Sequence, residues 1–269
     1  MHAGNALEYF SGAVRFYLFY LFLIATLLVA DCGAQTPARK RVLVYSRQTS
    51  SPSTYIHENA ASSVEAIRKM GAEHGFIVDA SEDPSVFTTE NLKRYAAVVF
   101  SNTNNFDFDS DAQREAFQKY IEGGGGFVGL HAATTSERQW PFFVSTIGGR
   151  FLRHPEKQKF RVVVEDANHL ATRNLPSSFE WEDECYFHVD LNPDMHVLLS
   201  TDPSLLNDPE KGKFPQSIIG GQVPLAWTIT SHGHRTFYSA LGHPKESYSN
   251  PLLVGLIQGG ILWVLDGSK

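Results

Sequence analysis

The sequence has little cysteine and no excess of basic residues. Only two of its 269 residues are cysteines, and Cys32 lies just after an apolar N-terminal run. The one remaining thiol, Cys185, cannot form an internal disulfide, so we expect the fold to depend on its hydrophobic core. The formal net charge of −6 argues against a nucleic-acid partner, because contact with phosphates requires a basic surface.

Long apolar runs are also scarce. One run, residues 16–30, is followed by the small residue Ala34, an order typical of a cleaved signal peptide. We predict a signal peptide over 1–34, a linker over 35–40 and one domain over 41–269. The run is shorter than the ~20 residues that span a bilayer, so no stable membrane span is expected after cleavage. The protein is therefore expected to be periplasmic or secreted, or membrane-anchored if the leader is not cleaved.

The rest of the chain alternates apolar strands with amphipathic helices. Continuous apolar strands separated by helices are typical of an α/β protein with a parallel sheet and helices on both faces. The turn at residues 231–235 predicts that the last two strands are antiparallel, and residues 202–221 are expected to form a surface loop. Strands are predicted at 41–46, 76–80, 96–100, 127–130, 160–164, 196–200, 225–230 and 236–241, and helices at 56–70, from Ser110 and from Pro251.

Three histidines follow or face predicted strand ends. His131 comes directly after strand 127–130, His243 follows strand 236–241, and His57 lies at the start of the first helix. Ligands bind at the carboxyl ends of the strands in open parallel sheets. We therefore expect these histidines to meet in one pocket, where imidazole groups can serve as general bases or metal ligands.

Several segments together resemble the ThuA-like (trehalose utilisation) family. They are GGGGFVGLHAATTSERQWPFFVSTIGGRFLRHP, DECYFHV and PLAWTITSHGHRTFYSALGH, with RVLVYSRQTSSPSTYIHENA at the start of the domain. The resemblance implies a flavodoxin-like, class I glutamine amidotransferase-like fold, a three-layer α/β sandwich with a mostly parallel sheet. It also implies a role in carbohydrate metabolism, on trehalose-like glycosides or keto-sugars.

The sequence lacks the catalytic cysteine and glutamate of glutamine amidotransferases at the corresponding positions. Those enzymes place a cysteine on the sharp turn after a strand, whereas His131 stands at that turn here. Their H-P-E motif is replaced by His243, Pro244 and Lys245. Cys185 lies in WEDECYF, which is not a glycine-flanked turn, so it does not replace the missing nucleophile. We expect no glutamine hydrolysis.

The remaining candidates suit acid–base chemistry on a sugar derivative, as a hydrolase or a lyase. A base can remove a proton beside a sugar carbonyl, and a cation can hold the developing enolate. A divalent metal such as Zn²⁺ stays an open alternative, since histidines and carboxylates are suitable ligands. A non-catalytic carbohydrate-binding domain is the second hypothesis. We assign catalytic roles to His131, His243 and Glu184, and substrate-binding roles to His57, His154, His169, Trp140, Tyr186 and Asp183.

Overall fold

The computed structural model of the protein describes residues 38–48, 55–231 and 233–267. The predicted signal peptide and the first part of the linker lie outside the described residues. All described residues except Ala38 belong to one unit that begins at Arg39. Among the helices of these segments, none combines the length and the apolar character that crossing a membrane requires.

The described residues contain strands in two sheets and helices on both sides of the larger sheet. The strands are β1 (Arg41–Tyr45), β2 (Ile77–Ser81), β3 (Ala97–Ser101), β4 (Gly126–Leu130), β5 (Arg150–Arg153), β6 (Gln158–Val164), β7 (Ser178–Asp183), β8 (Phe187–Val189), β9 (His196–Thr201), β10 (Val223–Ser231) and β11 (His234–Ser239). The helices are α1 (Ala60–His74), α2 (Thr89–Leu92), α3 (Asp111–Glu122), α4 (Pro141–Ile147) and α5 (Pro251–Gly267).

The large sheet has nine strands in the order β2-β1-β3-β4-β11-β10-β9-β6-β7. The first five are parallel neighbours, and their order is that of a flavodoxin-like sheet with β11 in the place of the fifth strand. The other four extend the sheet through antiparallel pairs. Hence β1 to β4, β7, β9 and β11 run in one direction, and only β6 and β10 oppose them. The predicted fold class is confirmed, as is the antiparallel pairing of β10 with β11.

Two hydrophobic cores lie on opposite faces of the sheet. Val42 and Val44 of β1 face the core that includes α1 and α5, while Leu43 and Tyr45 face the core that includes α3 and α4. Successive side chains of a strand point to opposite faces, so a continuous apolar strand must be covered on both sides. This arrangement is the predicted three-layer sandwich.

Some elements were not expected from the sequence. β5 pairs with β8 in a separate two-stranded sheet, and β7 forms the edge of the large sheet. β7 has the sequence SFEWED, in which exposed Glu180 and Glu182 alternate with buried Trp181 and Asp183. Such alternation is typical of an antiparallel strand with one face in solvent, and β7 carries the chain to Glu184.

Candidate functional site

The candidate site lies at the carboxyl edge, by which we mean the edge of the large sheet where β4, β7 and β11 end. β4 ends one residue before His131, β7 ends one residue before Glu184, and β11 ends shortly before His243. Since these three strands run in the same direction, their ends meet at one edge. Residues that are far apart in the chain are thereby brought together, as the position rule for α/β sheets predicts.

His131 occupies a constrained backbone position. Its φ of 47° is in the left-handed region, which non-glycine residues adopt rarely and mostly where the surrounding structure requires it. The side chain is fully buried, and its Nδ1 lies 2.8 Å from the carbonyl oxygen of Ala240. A carbonyl only accepts, so Nδ1 donates and the Nε2 lone pair of neutral His131 faces the site. The Tyr186 hydroxyl lies 3.1 Å from that Nε2 and donates to it.

Glu184 lies at the centre of a group that we call the His/Glu cluster, and its carboxylate is close to three imidazoles. One oxygen, Oε1, is 3.2 Å from Nδ1 of His243 and 3.6 Å from Nε2 of His154. The other, Oε2, is 3.8 Å from Nε2 of His131. The side chains of Glu184 and His243 are 14% and 18% exposed, so the site is open to solvent. The cluster consists of Glu184, His57, His131, His154 and His243.

His57 completes the His/Glu cluster from the segment before α1. Its ring centre lies 5.1 Å from that of His131 and 5.5 Å from that of His243. The Gln48 side chain holds the His57 backbone by donating from Nε2 to its carbonyl at 2.8 Å. The His57 side chain is buried, and its Nδ1 has no hydrogen-bond partner among the described residues.

Burial sets the protonation of the cluster. Burial and the nearby imidazole of His243 lower the pKa of His57 to about 4. The pKa of His131 is also lowered well below its usual value, by burial first and then by the charges of His57 and His243. Burial raises the pKa of Glu184, and the imidazoles of His243 and His154 oppose that increase. His57 and His131 are therefore neutral at pH 7 and can accept a proton or a metal ion.

Asp183 joins the end of β7 to the segment after β11. Its carboxylate accepts hydrogen bonds from the backbone N–H of Gly242 at 2.8 Å and of His243 at 3.3 Å, and from Nε1 of Trp181 at 2.9 Å. It is fully buried. The prediction that Asp183 binds substrate is therefore corrected, because its oxygens bind protein groups and it positions His243 instead.

The predicted substrate-binding residues divide into two groups. His57, His154 and Tyr186 lie in or against the site, and the Tyr186 ring centre is 4.5 Å from that of His131. His169 and Trp140 do not. His169 packs on Trp263 near the end of α5, with the ring centres 5.1 Å apart, and Trp140 packs among aromatic residues of the core next to α3. For these two residues the sequence assignment to this site is wrong, since other parts of the fold surround them.

Three residues of the site were not expected from the sequence. Tyr55 is 60% exposed and makes edge contacts with the rings of His57 and His243. Asn59 donates from Nδ2 to the carbonyl of Gly242 at 2.6 Å and to Oδ1 of Asn102 at 2.9 Å. Asn102 follows β3 with φ 57°. The strand-end position of the SNTNN segment was a usable signal for Asn102, because asparagine tolerates the left-handed region.

The site lacks the cysteine of an amidotransferase at the turn after β4, where His131 stands. Cys185 is buried with a relative exposure of 0%, and burial raises the pKa of its thiol. A buried, protonated thiol is a poor nucleophile. The fold and the site thus define a flavodoxin-like α/β protein in which histidines and one glutamate occupy the carboxyl edge.

Comparison with known proteins identifies the family. Residues 41–264 match the family model of ThuA, described as trehalose utilisation, and the chain belongs to that family. Among solved structures, a protein described as ThuA-like from Bacteroides uniformis ATCC 8492 is 28% identical, with a TM-score of 0.69 over 86% of this chain and 93% of that chain. No curated protein sequence matches the chain.

Two further structures show similarity at lower identity. A protein described as ThuA-like from Parabacteroides merdae ATCC 43184 is 21% identical, with a TM-score of 0.61 over 86% of this chain and 91% of that chain. A cytoplasmic protein from Salmonella typhimurium LT2 is 12% identical, with a TM-score of 0.56 over 85% of this chain and 100% of that chain. At these identities the similarity supports the fold only.

Proposed function

We propose that this ThuA family member is an exported enzyme that acts on a carbohydrate derivative, a trehalose-like glycoside or its keto form, by histidine and carboxylate acid–base catalysis. The observation that carries the proposal is the position of Glu184, whose oxygens lie 3.2 to 3.8 Å from the nitrogens of three imidazoles. Proton donors and acceptors within one site, partly open to solvent, are what proton transfer requires.

The chemistry that fits this site is an elimination on a keto-glycoside. The sugar carbonyl acidifies the neighbouring C–H, and the Glu184 carboxylate takes that proton. The electron pair forms a C=C bond, the C–O bond to the leaving group breaks, and the His243 imidazole, acting as general acid, gives a proton to the departing oxygen. Addition of water to the product would make the overall reaction a hydrolysis.

Tyr55 supports a carbohydrate as the ligand. Its ring is 60% exposed and lies against His57 and His243, with ring centres 4.9 and 5.4 Å apart. A sugar presents an apolar C–H face that packs on an aromatic ring, while its hydroxyls need polar partners nearby. Tyr55 supplies the aromatic surface next to the polar groups of the His/Glu cluster.

The test compares turnover of glucosides and their 3-keto forms by the wild-type protein and two matched variants. Glu184→Gln removes the carboxylate and keeps the side-chain size, whereas Glu182→Gln makes the same change on the exposed face of β7. We expect Glu184→Gln to lower kcat/KM by about 10²- to 10⁴-fold, the usual contribution of a general acid or base. Glu182→Gln should change it less than about twofold, since it is an exposed group whose ion pair contributes little.

The result also separates an enzyme from a binding domain. If the wild-type protein binds these sugars and leaves all of them unchanged, the catalytic proposal is wrong and the non-catalytic hypothesis is supported. In that case Tyr55→Ala should weaken sugar binding, while Glu184→Gln should leave most of it.

Export is a separate part of the proposal. It rests on the apolar run at residues 16–30 and the small residue Ala34. Mass spectrometry of the protein expressed in a Gram-negative host should find a mature N-terminus close to Gln35 in the periplasmic fraction. An intact N-terminus in the cytoplasmic fraction would contradict export.

A further inference from the structure

Two imidazoles of the His/Glu cluster turn Nε2 toward the Glu184 carboxylate, and in their neutral tautomers that atom carries no hydrogen. His131 donates from Nδ1 to Ala240, so its neutral form presents an unprotonated Nε2. His154 donates from Nδ1 to the carbonyl of Pro155 at 2.8 Å, so the neutral tautomer of its ring has the lone pair on Nε2. Both Nε2 atoms lie within 4 Å of the Glu184 carboxylate. A cation stabilises lone pairs and a carboxylate that lie this close together; without one, the Tyr186 hydroxyl donates to Nε2 of His131.

His243 gives an independent observation of the same kind. Its Nδ1 is 3.2 Å from Oε1 of Glu184, yet that nitrogen is buried and has no hydrogen-bond partner of acceptable geometry among the described residues. The two atoms are close without being bonded to each other. A buried polar atom without a partner calls for an explanation, and a bound ion is one of the usual ones.

The distances fit one metal ion. Donor atoms from His131, Glu184 and His243 lie within 4.8 Å of one another. Ligands at the usual Zn–N and Zn–O lengths of about 2.0 to 2.2 Å are separated by roughly 3.3 Å in a tetrahedron. The distances from Oε1 of Glu184 to His243, 3.2 Å, and from Oε2 to His131, 3.8 Å, are near this value, and a small rotation of the carboxylate would present one oxygen to both imidazoles.

We propose that His131, Glu184 and His243 form a Zn²⁺ site of the catalytic type, with three protein ligands and one open position. Two imidazoles and one carboxylate are a ligand set that catalytic zinc uses. Ala240 fixes the orientation of the His131 ring, and Asp183 holds the backbone of His243, as outer-shell partners do in metal sites. Tyr186 would give up its hydrogen bond to Nε2 and retain Glu184 as a neighbour.

This inference rests on the same site as the proposed function and deepens it. A bound ion would polarise a substrate carbonyl at the open position. With Glu184 and His243 bound to the ion, the metal-bound form of the reaction would use the imidazole of His154, 35% exposed, for proton transfer in place of these two residues.

The test uses the untagged protein, stripped with a chelator, so that no polyhistidine tag contributes. Titration with Zn²⁺ by calorimetry should show one equivalent bound, and Co²⁺ should give the visible bands of a four- or five-coordinate site. Glu184→Gln and His243→Ala should each weaken Zn²⁺ binding by more than about 100-fold, beyond the 10- to 100-fold typical of outer-shell partners. Glu182→Gln and the exposed His196→Ala are the matched controls and should bind Zn²⁺ as the wild-type protein does.

Other results would overturn the inference. Binding of less than one equivalent of Zn²⁺ at micromolar concentrations would do so, and so would an equal loss in the controls. Circular dichroism shows whether each variant is folded. If His243→Ala does not fold, the Zn²⁺ affinity of Glu184→Gln decides the test. If protein that binds no Zn²⁺ still turns over a keto-glycoside, the metal site is refuted and the proposed reaction stands. One-site Zn²⁺ binding without turnover supports the metal site and contradicts the proposed reaction.

Discussion

The parallel half of the large sheet, β2-β1-β3-β4-β11, and its antiparallel extension, β10-β9-β6-β7, contribute different groups to the candidate site. The parallel half provides His131 and His243 at the ends of β4 and β11. The extension provides Glu184 at the end of β7, which is the edge strand of the sheet and the strand of the extension farthest from the parallel half. Of these three residues, the parallel half supplies the two imidazoles and the extension supplies the carboxylate.

Asp183 shows how the two halves are connected at the site. It belongs to β7 and accepts hydrogen bonds from the backbone of Gly242 and His243, which follow β11. The chain leaving β7 therefore crosses to the parallel half, and this brings Glu184 next to the imidazoles. The site depends on this connection as much as on the strand-end rule, and each of the following predictions tests one part of it.

The largest effect is expected where the two halves join. Trp227 in β10 is fully buried, its Nε1 donates to the carbonyl of Ile147 at 2.9 Å, and its ring centre is 4.3 Å from that of Tyr238 in β11. Trp227→Ala should lower the free energy of unfolding by about 3 to 5 kcal/mol, the usual cost of removing a buried aromatic residue. Urea denaturation measures this value. Trp140→Ala, at a partly exposed position, is the comparison. If it lowers the free energy of unfolding as much as Trp227→Ala does, the junction of the two halves contributes no more stability than a peripheral position.

Removing the connection between the halves should cost less stability and also reduce activity. Asp183→Asn replaces one acceptor oxygen by an N–H donor that faces backbone N–H groups. The unfolding free energy should fall by about 1 to 3 kcal/mol, the cost of an unsatisfied buried group. The kcat/KM should fall about 10- to 100-fold, as for outer-shell residues. Unchanged activity in a folded variant would refute the positioning role of Asp183.

A buried carboxyl of the parallel half, outside the cluster, gives a pH-dependent prediction. Asp107 is fully buried, and burial raises its pKa well above 3.8, with the Ser136 hydroxyl opposing only part of the shift. The folded state holds this proton more tightly than the unfolded chain does, so its contribution to stability is present below pH 3.8 and is lost as the pH rises through the folded pKa.

Asp107→Asn should therefore raise the unfolding free energy at pH 7 by at least about 1 kcal/mol, the value of one pKa unit. The gain should disappear near pH 4, where the side chain at position 107 is neutral in the folded wild-type protein as well as in the variant. Urea denaturation at both pH values checks this, and equal effects at pH 4 and pH 7 would show that Asp107 does not titrate as described.

The smallest effect is expected at His169, which lies outside the His/Glu cluster. His169→Ala should change kcat/KM on a keto-glycoside by less than about twofold, because a residue without a contact to substrate or ligands does not alter transition-state binding. Kinetics with the purified variant measure this. A loss as large as that of Glu184→Gln would return His169 to the site and contradict the placement of the ring against Trp263.

The two halves also differ in how well the sequence predicted them. β1, β3 and β4 consist mostly of consecutive apolar residues, so their positions and the place of His131 followed directly. The strand predicted at 236–241 gave the place of His243. β7 carries two exposed glutamates, and its direction depends on pairing with β6, which no local pattern encodes. Glu184 could therefore be named as a candidate catalytic residue, but its position next to the histidines could not be predicted. His169 was misplaced because the family resemblance indicates residue types and not where the chain carries them. Trp140 was misplaced because a large aromatic residue that could stack on a sugar can equally pack on a core.

A double-mutant cycle on Glu184 and His131 tests the central claim most directly, namely that groups from the two halves act as one site. Glu184→Gln, His131→Gln and the double variant are compared by kcat/KM on the same keto-glycoside. Residues that work as a unit are strongly non-additive. The account predicts that the double variant is no slower than the slower single variant to within about threefold. Losses that multiply would show that the two residues act independently and would contradict it.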